Sequence, residues 1–488
     1  MKKNIKRAFI ALLALVSANM VAGCKNSNRI DEIKPNSGDT IKTSVSSNVA
    51  FWLTNADKTV LFQQQKNSPL NFTSTPNGYP IIDVDTTQTF QTIDGFGFAL
   101  TGVSAMLINS LPEPAKEALL RDLFLTDSTH IGVSYLRLSL GASDLSAAPF
   151  TYDEIPAGQT DTTLQHFSID QERTDLIPIL QKIIALNPSI QIIATPWTAP
   201  TWMKTNGSFV GGSLKPQYYD VYARYFVKYL QAMQAAGIHI TAVTPQNEPL
   251  NAYNNPAMLM QSNEEDAFVK NYLGPYFQAN HIDTKIIIYD HNLDHPEYAT
   301  AILSDPAASP YIDGSAFHLY AGNINTMSSV HSMFPNKNLY FTEQATFSNG
   351  SFHQDLDWHI QNLIIGAIRN WSKNVLEWNL ASDPNQALHT NGGCSTCLGA
   401  LTIGTSVTRN VSYYIIAHAA KFVRPGSVRI ASSEPDNLPN VAFKTPAGNK
   451  VLIVLNTGFS ATTFNIRFNG KVVTPTLQSG AVGTFIWQ

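Results

Sequence analysis

Short apolar stretches alternate with longer amphipathic ones through the middle of the chain, from residue 93 to residue 414. The apolar stretches have the length of buried strands and lie at residues 95–101, 134–141, 190–197, 240–249, 285–292, 314–320, 338–345 and 374–381. The amphipathic stretches have the apolar spacing of helices and include residues 114–123, 175–186, 218–236 and 355–371. Eight strands that alternate with helices over roughly 300 residues predict a single barrel of βα units.

The segments on both sides of this region have a β-like pattern. Short strands are predicted at residues 50–52, 60–63 and 80–85, and again at residues 451–455, 463–468 and 483–487. We therefore expect residues 48–92 and 415–488 to form one β-sandwich. The predicted fold class is α/β: a (β/α)8 TIM barrel over residues 93–414 with an appended β-sandwich side domain built from both chain ends.

The N-terminus has the features of a targeting segment. Basic residues precede an apolar stretch at residues 8–16, which is too short for a membrane-spanning helix. Small residues then stand directly before a cysteine, in Val21-Ala22-Gly23-Cys24, as in a bacterial lipobox. We expect a signal peptide at residues 1–23, lipidation of Cys24 and a flexible tether over residues 24–47. The alternative is an ordinary secretory signal with an incidental cysteine.

This interpretation predicts a location outside the cytoplasm, with the protein held by lipid on a bacterial membrane, at the outer membrane or the periplasmic face. Composition agrees with a large folded protein: of 488 residues, 44% are hydrophobic and 14% charged. The net charge is −4, and there is neither a basic stripe nor a phosphate-binding glycine loop. We expect no nucleic-acid partner and no cofactor.

Cys394 and Cys397 form an isolated CxxC sequence in a glycine-rich segment. Such a spacing is compatible with a redox or zinc site, but a second CxxC and nearby histidines are missing. A loop disulfide is favoured in an oxidising compartment, and free thiols remain the alternative.

Polar and aromatic residues concentrate where the predicted barrel strands end. Glu248 closes the fourth strand and Glu343 the seventh, and the carboxyl ends of parallel barrel strands meet at one rim. Two carboxyl groups at that rim are what a retaining glycosidase requires, one to protonate the leaving oxygen and one to attack. Aromatic, amide, Arg and His side chains at the other strand ends suit a carbohydrate better than a phosphate or a metal ion.

Several motifs in the barrel region resemble those of glycoside hydrolase family 30, which includes lysosomal glucocerebrosidase and bacterial β-1,6-glucanases. They are QTIDGFG at 91–97, YLRL at 135–138, PWTAPTWMK at 196–204, QNEP at 246–249, FTE at 341–343, EWNL at 377–380 and KFVRPG at 421–426. The resemblance implies that Glu248 is the acid/base and Glu343 the nucleophile. It also implies that the substrate-binding residues are Arg137, Trp197, Asn247, His318, Tyr320 and Trp378.

In such a pair, one carboxyl group is expected to keep its proton near neutral pH because of the negative charge on its partner. The resemblance also identifies a difference in the first strand's motif, where the glucocerebrosidase-like pattern has an aspartate that we expect to hold the outer hydroxyls of a terminal glucose. This chain has Gly102 there. The residues around QNEP, together with Asn254-Asn255-Pro256 after it, resemble those of the family's bacterial β-1,6-glucanase branch.

The resemblance therefore implies a retaining hydrolase of β-glucosidic linkages that forms a covalent glycosyl-enzyme, most closely a β-1,6-glucanase with a β-glucan as substrate. A glucosylceramidase-like β-glucosidase is the first alternative. A lipid-anchored, non-catalytic glycan-binding protein is the alternative from a different class. The presence of both glutamates favours an enzyme over that last possibility.

Overall fold

A closed barrel of eight parallel strands forms the centre of the structure, a computed structural model that describes residues 47–75 and 77–488. In chain order the barrel strands are Gly95–Ala99, Tyr135–Ser139, Gln191–Thr195, Ala242–Val243, Lys285–Asn292, Ile312–His318, Asn338–Glu343 and Ser372–Asn379. Each strand pairs with the next in the sequence, and the eighth pairs with the first. The predicted TIM barrel is confirmed, with every strand where the sequence places it.

The barrel strands are buried at almost every position, since the helices cover one face and the barrel interior the other, and their middle residues are mostly apolar. Seven strands contribute side chains to a separate cluster that fills the barrel interior: Tyr135, Ile193, Ala242, Ile287, Ala316, Tyr340 and Leu376. The outward side chains pack against the surrounding helices in a much larger cluster. The interior is therefore a packed core, and the polar side chains at the strand ends lie above it.

The helices around the barrel follow the predicted amphipathic stretches closely. The α-helices are Gly102–Asn109, Glu113–Phe124, Leu176–Leu186, Tyr219–Ala235, Ser262–Phe268, Gly274–Ala279, Pro296–Leu303, Thr326–Met333, Phe352–His359 and Val411–Ala420. Two stretches, Val269–Leu273 and Ile360–Ala367, have the wider π-helical turn. The second of them continues Phe352–His359, which accounts for the single long helix predicted at residues 355–371.

Strands from both ends of the chain form the β-sandwich. They are Ala50–Thr54, Gln63–Gln64, Ile81–Thr92, Val428–Ser432, Asn440–Lys444, Lys450–Leu455, Asn465–Phe468, Lys471–Val473 and Val482–Trp487. The first of these pairs antiparallel with the last, with Ala50 opposite Ile486. The β-sandwich side domain built from both chain ends is thus confirmed.

The barrel and the sandwich meet along the helix Val411–Ala420. The predicted boundary between residues 414 and 415 falls inside this helix, so the barrel region extends past it. His418 lies in the contact, where its two ring nitrogens are each 2.8 Å from a threonine hydroxyl, those of Thr54 and Thr484. Burial lowers the pKa of His418 to about 3, so this link is neutral.

The predicted signal peptide, Cys24 and the tether up to residue 46 lie outside the described residues. Within the described part of the chain, no helix has both the length and the apolar character that crossing a membrane requires.

Candidate active site

A cleft of about 510 Å³ opens at the carboxyl ends of the barrel strands. Six of the eight side chains predicted to form the site line it: Trp197, Asn247, Glu248, Tyr320, Glu343 and Trp378. They come from the ends of the third, fourth, sixth, seventh and eighth strands. The cleft is the size of an ordinary small-ligand site, and its lining mixes aromatic faces with polar groups.

The carboxyl groups of Glu248 and Glu343 face each other across this cleft. One oxygen of each lies with a ring nitrogen of His318 in a group whose atoms are all within 4.8 Å of one another. Carboxyl groups about 5 to 5.5 Å apart are typical of glycosidases that retain the anomeric configuration, whereas inverting enzymes need room for a water molecule and a wider gap. The spacing is that of a retaining enzyme.

Arg137 lies beneath the cleft and holds the surrounding acceptors in place. Its guanidinium donates from Nη1 to Glu343 Oε2 at 2.5 Å, and from Nη2 to Asn247 Oδ1 at 2.6 Å and Asp290 Oδ2 at 2.8 Å. We expected Arg137 to form part of the substrate-binding wall. Its side chain is fully buried and occupied by these three acceptors, so it orients the groups that face the cleft instead.

Asp290 is the central acceptor of this buried network and was not among the predicted site residues. Tyr289 and Asp290 have positive φ values of 76° and 58°, and the strand register shifts between Tyr289 and His291. This β-bulge turns the Asp290 carboxylate inward. There it accepts from Arg137, from Thr244 at 2.9 Å and from Thr342 at 2.5 Å. Although burial opposes ionisation, the Arg137 charge holds the pKa of Asp290 well below its usual range.

His318 connects Asp290 to Glu248. Its Nε2 is 3.1 Å from Asp290 Oδ1, and its Nδ1 is 3.1 Å from Glu248 Oε1 and 4.0 Å from Glu343 Oε1. Like Arg137, it was predicted to contact substrate, yet its side chain is fully buried. Burial opposes protonation, but the three surrounding carboxylates raise the pKa of His318 to about 9.

The position of one proton follows from these contacts. Burial raises the pKa of Glu343, and the nearby negative charge of Glu248 adds to this effect. The pKa of Glu248 is lowered despite burial, because His318 hydrogen-bonds to it and carries a positive charge. We expected one of the two carboxyl groups to keep its proton, and these directions make Glu248 the more acidic of the pair. His318, with its raised pKa, is the group beside Glu248 that can hold a proton at neutral pH, 3.1 Å from the Glu248 oxygen.

Four side chains face the cleft with groups suited to a sugar. The rings of Trp197 and Trp378 lie side by side, with centroids 5.4 Å apart, and both cover the guanidinium of Arg137. Because Asn247 uses its Oδ1 to accept from Arg137, its amide nitrogen is left to donate toward the cleft. The Tyr320 hydroxyl donates to Glu343 Oε1 at 3.0 Å.

Asp144 and the loop that contains Cys394 form a further part of the cleft wall. A disulfide joins Cys394 to Cys397, and the backbone N–H of Cys394 donates to Asp144 Oδ2 at 3.3 Å. Burial, together with the negative charge of Glu343, raises the pKa of Asp144 to about 7. Its position seven residues after Arg137, at the end of the second strand, is a sequence signal that could have identified it.

Two other strand-end residues do not reach the cleft. Gly102 begins the helix Gly102–Asn109 and lines a separate cavity of about 310 Å³, where a Cβ atom would lie 3.3 Å from Ser146 Oγ. Gly102 is not among the residues that line the main cleft. Glu377 points away from the cleft because it precedes Trp378 on the strand, and it contacts His359 Nδ1 at 2.7 Å.

Among the described residues, the one group with atoms placed as in a metal site is Glu248, His318 and Glu343. The contacts of Glu343 argue against a cation at this position. Its carboxylate already pairs with the Arg137 guanidinium at 2.5 Å, and that positive charge would repel a metal ion. The arrangement suits proton transfer and nucleophilic attack at a sugar carbon.

A TIM barrel whose rim holds two facing carboxyl groups and an aromatic-lined cleft defines a class of protein, the O-glycosyl hydrolases. Comparison with known proteins supports this class. The glycosyl hydrolase family 30 TIM-barrel domain matches residues 93–423, and the family's β-sandwich domain matches residues 426–485. The chain belongs to glycosyl hydrolase family 30, and retention of configuration is characteristic of that family.

Its relatives include two kinds of enzyme. An endo-1,6-β-D-glucanase of Aspergillus fumigatus is 33% identical over 80% of this chain and 82% of its own length. The mouse lysosomal acid glucosylceramidase is 30% identical over 82% of each chain. Among solved structures, the endo-β1,6-glucanase BT3312 superposes with a TM-score of 0.83 at 33% identity, covering 90% of this chain and 99% of that one.

Proposed function

We propose that this hydrolase cleaves β-1,6-linked glucan with retention, with Glu343 as the nucleophile and Glu248 as the acid/base. The observation that carries the assignment of roles is the facing pair of carboxyl groups, whose oxygens lie within 4.8 Å of each other and have different partners. Glu343 is fixed by Arg137 and Tyr320, which do not release protons easily. Glu248 is next to the mobile proton on His318.

In the first step a Glu343 oxygen attacks the anomeric carbon while the bond to the leaving oxygen breaks. The proton that His318 and Glu248 share passes to that oxygen, so the leaving sugar departs as a neutral alcohol. Glu343 loses its negative charge as it becomes a glycosyl ester, and His318 loses its positive charge. The net charge of the buried group therefore stays the same through the step, which avoids an uncompensated charge in the protein interior.

In the second step Glu248 acts as a base. With Glu343 esterified, Glu248 is a carboxylate beside a neutral His318, and it can take a proton from a water molecule that attacks the same carbon from the side the leaving group left. The ester bond breaks and Glu343 regains its charge. The proton returns to His318 and Glu248, which restores the starting state.

The roles can be separated by two variants. Glu343→Gln should abolish turnover of every substrate, whereas Glu248→Ala should still hydrolyse aryl glycosides whose leaving group needs no proton. Azide should partly rescue the second variant and yield a β-glycosyl azide, which is identified by NMR. Rescue of Glu343→Gln by azide instead, or an α-configured first product from the unmodified enzyme, would reverse or reject the assignment.

The linkage is supported by the relatives named as 1,6-β-glucanases. The test is kcat/KM for β-1,6-glucan, β-1,3-glucan, xylan and glucosylceramide under one set of conditions. We expect β-1,6-glucan to be the best substrate by at least about tenfold, a difference of ~1.4 kcal/mol in transition-state binding. A comparable advantage for glucosylceramide would support a glucosylceramidase-like enzyme instead.

We also propose that Cys24 is lipidated and anchors the enzyme to a bacterial membrane on its extracytoplasmic side. The support is the lipobox-like sequence before Cys24. Membrane attachment would then depend on acyl chains buried in the bilayer, so Cys24→Ser should release the protein from carbonate-washed membranes or leave it unprocessed. Equal membrane recovery of both forms would reject the anchor.

A further inference from the structure

The cleft has two unlike sides. One side, from the second, third and eighth barrel strands, consists of Asp144, Trp197 and Trp378, all at most 5% exposed. The other side consists of residues that follow the fourth and fifth strands: Leu250, Asn251, Tyr253, Asn254, His291, Asn292, Asp294 and His295. Glu248 lies between the two sides. Of the residues on the second side, His291 and Asn292 were expected at the rim as strand-end residues, but none was predicted to bind the substrate.

The leaving group must lie on the side of the acid/base. In a retaining glycosidase the acid/base protonates the oxygen of the departing sugar, so that sugar extends past it and away from the ring that is being attacked. Here the buried aromatic pair comes from the third and eighth strands, whereas the exposed loop begins directly after Glu248 on the fourth. The sugar that becomes attached to Glu343 is therefore expected at Trp197 and Trp378, and the leaving sugar at the loop of residues 250–256.

Tyr253 is the aromatic face that this loop presents. It is 90% exposed, yet it lines the cleft, and sugar rings stack on exposed aromatic faces. Exposure alone would not single it out, since Phe459, which does not line the cleft, is more exposed still. Its position does single it out. Among the exposed large apolar side chains of the described residues, only Tyr253 and Tyr320 line the cleft.

The loop is held firmly although Tyr253 is exposed. Ala257 accepts from the buried ammonium of Lys204 at 2.8 Å, and its N–H donates to Phe209 at 2.9 Å. Asn255 donates from its amide to the carbonyl of Asn391 at 2.8 Å. Before the ring, the N–H of Asn251 donates to the carbonyl of Glu248 at 2.8 Å. Because the backbone is fixed on both sides of Tyr253, a sugar that stacks on it would not have to order the loop first.

Asn251 connects this loop to the proton donor. Its amide nitrogen donates to Glu248 Oε2 at 2.8 Å, and its Oδ1 accepts from the N–H of Tyr253 at 3.2 Å. His318, which is fully buried and also held by Asp290, contacts the other oxygen, Oε1. Oε2 is therefore the oxygen on the loop side, and the Asn251 amide occupies the place from which a leaving oxygen would approach it.

We infer that the loop of residues 250–256 forms the binding site for the leaving-group sugar, with Tyr253 as its stacking face and Asn251 as the residue that positions Glu248 Oε2 toward it. This inference rests on the proposed roles of Glu248 and Glu343. Leaving sugars that engage Tyr253 displace the Asn251 amide from Oε2, and the Asn251 side chain then stays near the departing oxygen.

The test compares two substrates that share the attacked sugar and differ in the leaving group: a β-1,6-linked gluco-oligosaccharide and β-gentiobiosyl fluoride. Fluoride needs no sugar site on the leaving side. Tyr253→Ala should lower kcat/KM for the oligosaccharide about tenfold, the factor that an ordinary aromatic contact provides, and change that for the fluoride less than about twofold. Tyr253→Phe keeps the aromatic ring and should therefore retain activity on the oligosaccharide. Phe459→Ala is the matched control, because it removes an exposed aromatic ring that does not line the cleft.

Asn251 requires a different readout, because any loop variant can lower activity. The amide stabilises ionised Glu248, so removing it strengthens proton binding. Asn251→Ala should move the basic limb of the kcat/KM profile with the β-1,6-linked oligosaccharide, whose leaving alcohol needs the proton, to higher pH, and Asn251→Asp should move it further, since a second carboxylate disfavours ionisation of Glu248. If Asn251 acts only through structure, both variants should lose activity while the basic limbs of their pH profiles stay in place.

The inference fails if Tyr253→Ala slows both substrates equally or slows neither. Failure of the proposed linkage can be told apart, because the unmodified enzyme would then leave the β-1,6 oligosaccharide uncut. In that case the glycosyl-enzyme formed from the fluoride still partitions between water and an added acceptor glucoside. Tyr253→Ala should lower transfer to that acceptor about tenfold relative to hydrolysis, and unchanged partitioning would overturn the site.

Discussion

The floor of the cleft, formed by Arg137, Asp290 and His318, is buried, whereas its wall, the loop of residues 250–256, is partly exposed. In the floor, Arg137, Asp290 and His318 are fully buried, and their charges are held by short hydrogen bonds to one another and to the catalytic carboxyl groups. In the wall, Tyr253 is 90% exposed and forms hydrogen bonds only through its backbone. The difference indicates that the chemistry depends on groups fixed before substrate arrives, whereas the choice of leaving sugar depends on a surface that can be altered separately.

The largest expected effect comes from removing the central cation of the floor. Arg137→Met leaves the carboxylates of Asp290 and Glu343 buried without their partner, so kcat/KM should fall by at least about 10³-fold and the free energy of unfolding by about 3–5 kcal/mol. Steady-state kinetics and urea unfolding measure the two. Arg224→Met is the matched control: Arg224 pairs with Asp220 on an exposed helix face, and such pairs contribute only about 0.5 kcal/mol. Similar losses in Arg137→Met and Arg224→Met would show that the buried cation contributes no more than an exposed ion pair.

Neutralising Asp290 tests whether the floor sets the position of the proton. The carboxylate of Asp290 helps to raise the pKa of His318, so in Asp290→Asn that pKa should fall. Activity requires the shared proton and is lost as pH rises through the pKa of the protonated pair. The basic limb of kcat/KM should therefore move to lower pH, and the maximum should fall by about two orders of magnitude. A limb that stays in place would show that His318 does not store the proton.

Asp144 lies at the border between floor and wall and should have an intermediate effect. Since burial and the charge of Glu343 raise its pKa to about 7, it gains a negative charge as pH rises through neutrality. If sugar hydroxyls bind the ionised form, kcat/KM at pH 8 should be about 10- to 100-fold lower in Asp144→Asn, with a smaller difference at pH 6. The measurement is kcat/KM against pH for both proteins; a constant ratio would assign Asp144 to packing.

The smallest effect is expected from a buried pair that resembles Glu248 and His318 but faces away from the cleft. Glu377 and His359 are 2.7 Å apart, and burial raises the pKa of Glu377. Glu377→Gln should change kcat/KM less than about twofold and leave both limbs of its pH profile in place, because additivity holds for separated groups. A displaced limb would mean that charges outside the cleft also set the position of the shared proton.

The barrel was predictable because its signal is repeated eight times, as an apolar run followed by an amphipathic one. Glu248 and Glu343 were predictable because each ends such a run within a recognisable motif. Arg137 and His318 were placed in the right region but given the wrong task. Sequence spacing shows that a side chain points into the barrel rim, but it does not show whether the side chain reaches solvent or stops beneath its neighbours.

The residues that were missed depend on features with no local pattern. Asp290 turns inward because of a β-bulge, which consists of two residues with positive φ that are not glycine. Tyr253 and Asn251 belong to a loop whose position is set by contacts with Phe209 and Asn391, far away in the sequence. The shared proton could not be foreseen either, because its location depends on four charged groups from different strands.

The pairing of the first sandwich strand with the last has a consequence for how the protein is made. Ala50–Thr54 is synthesised early, but its partner Val482–Trp487 is made only roughly 430 residues later. That strand lies between Ala50–Thr54 and Lys450–Leu455, so the sheet has an unfilled gap until Val482–Trp487 has been made. The barrel can form before this moment, whereas the complete sandwich cannot. A chain released before residue 482 would have two open strand edges, which favour aggregation.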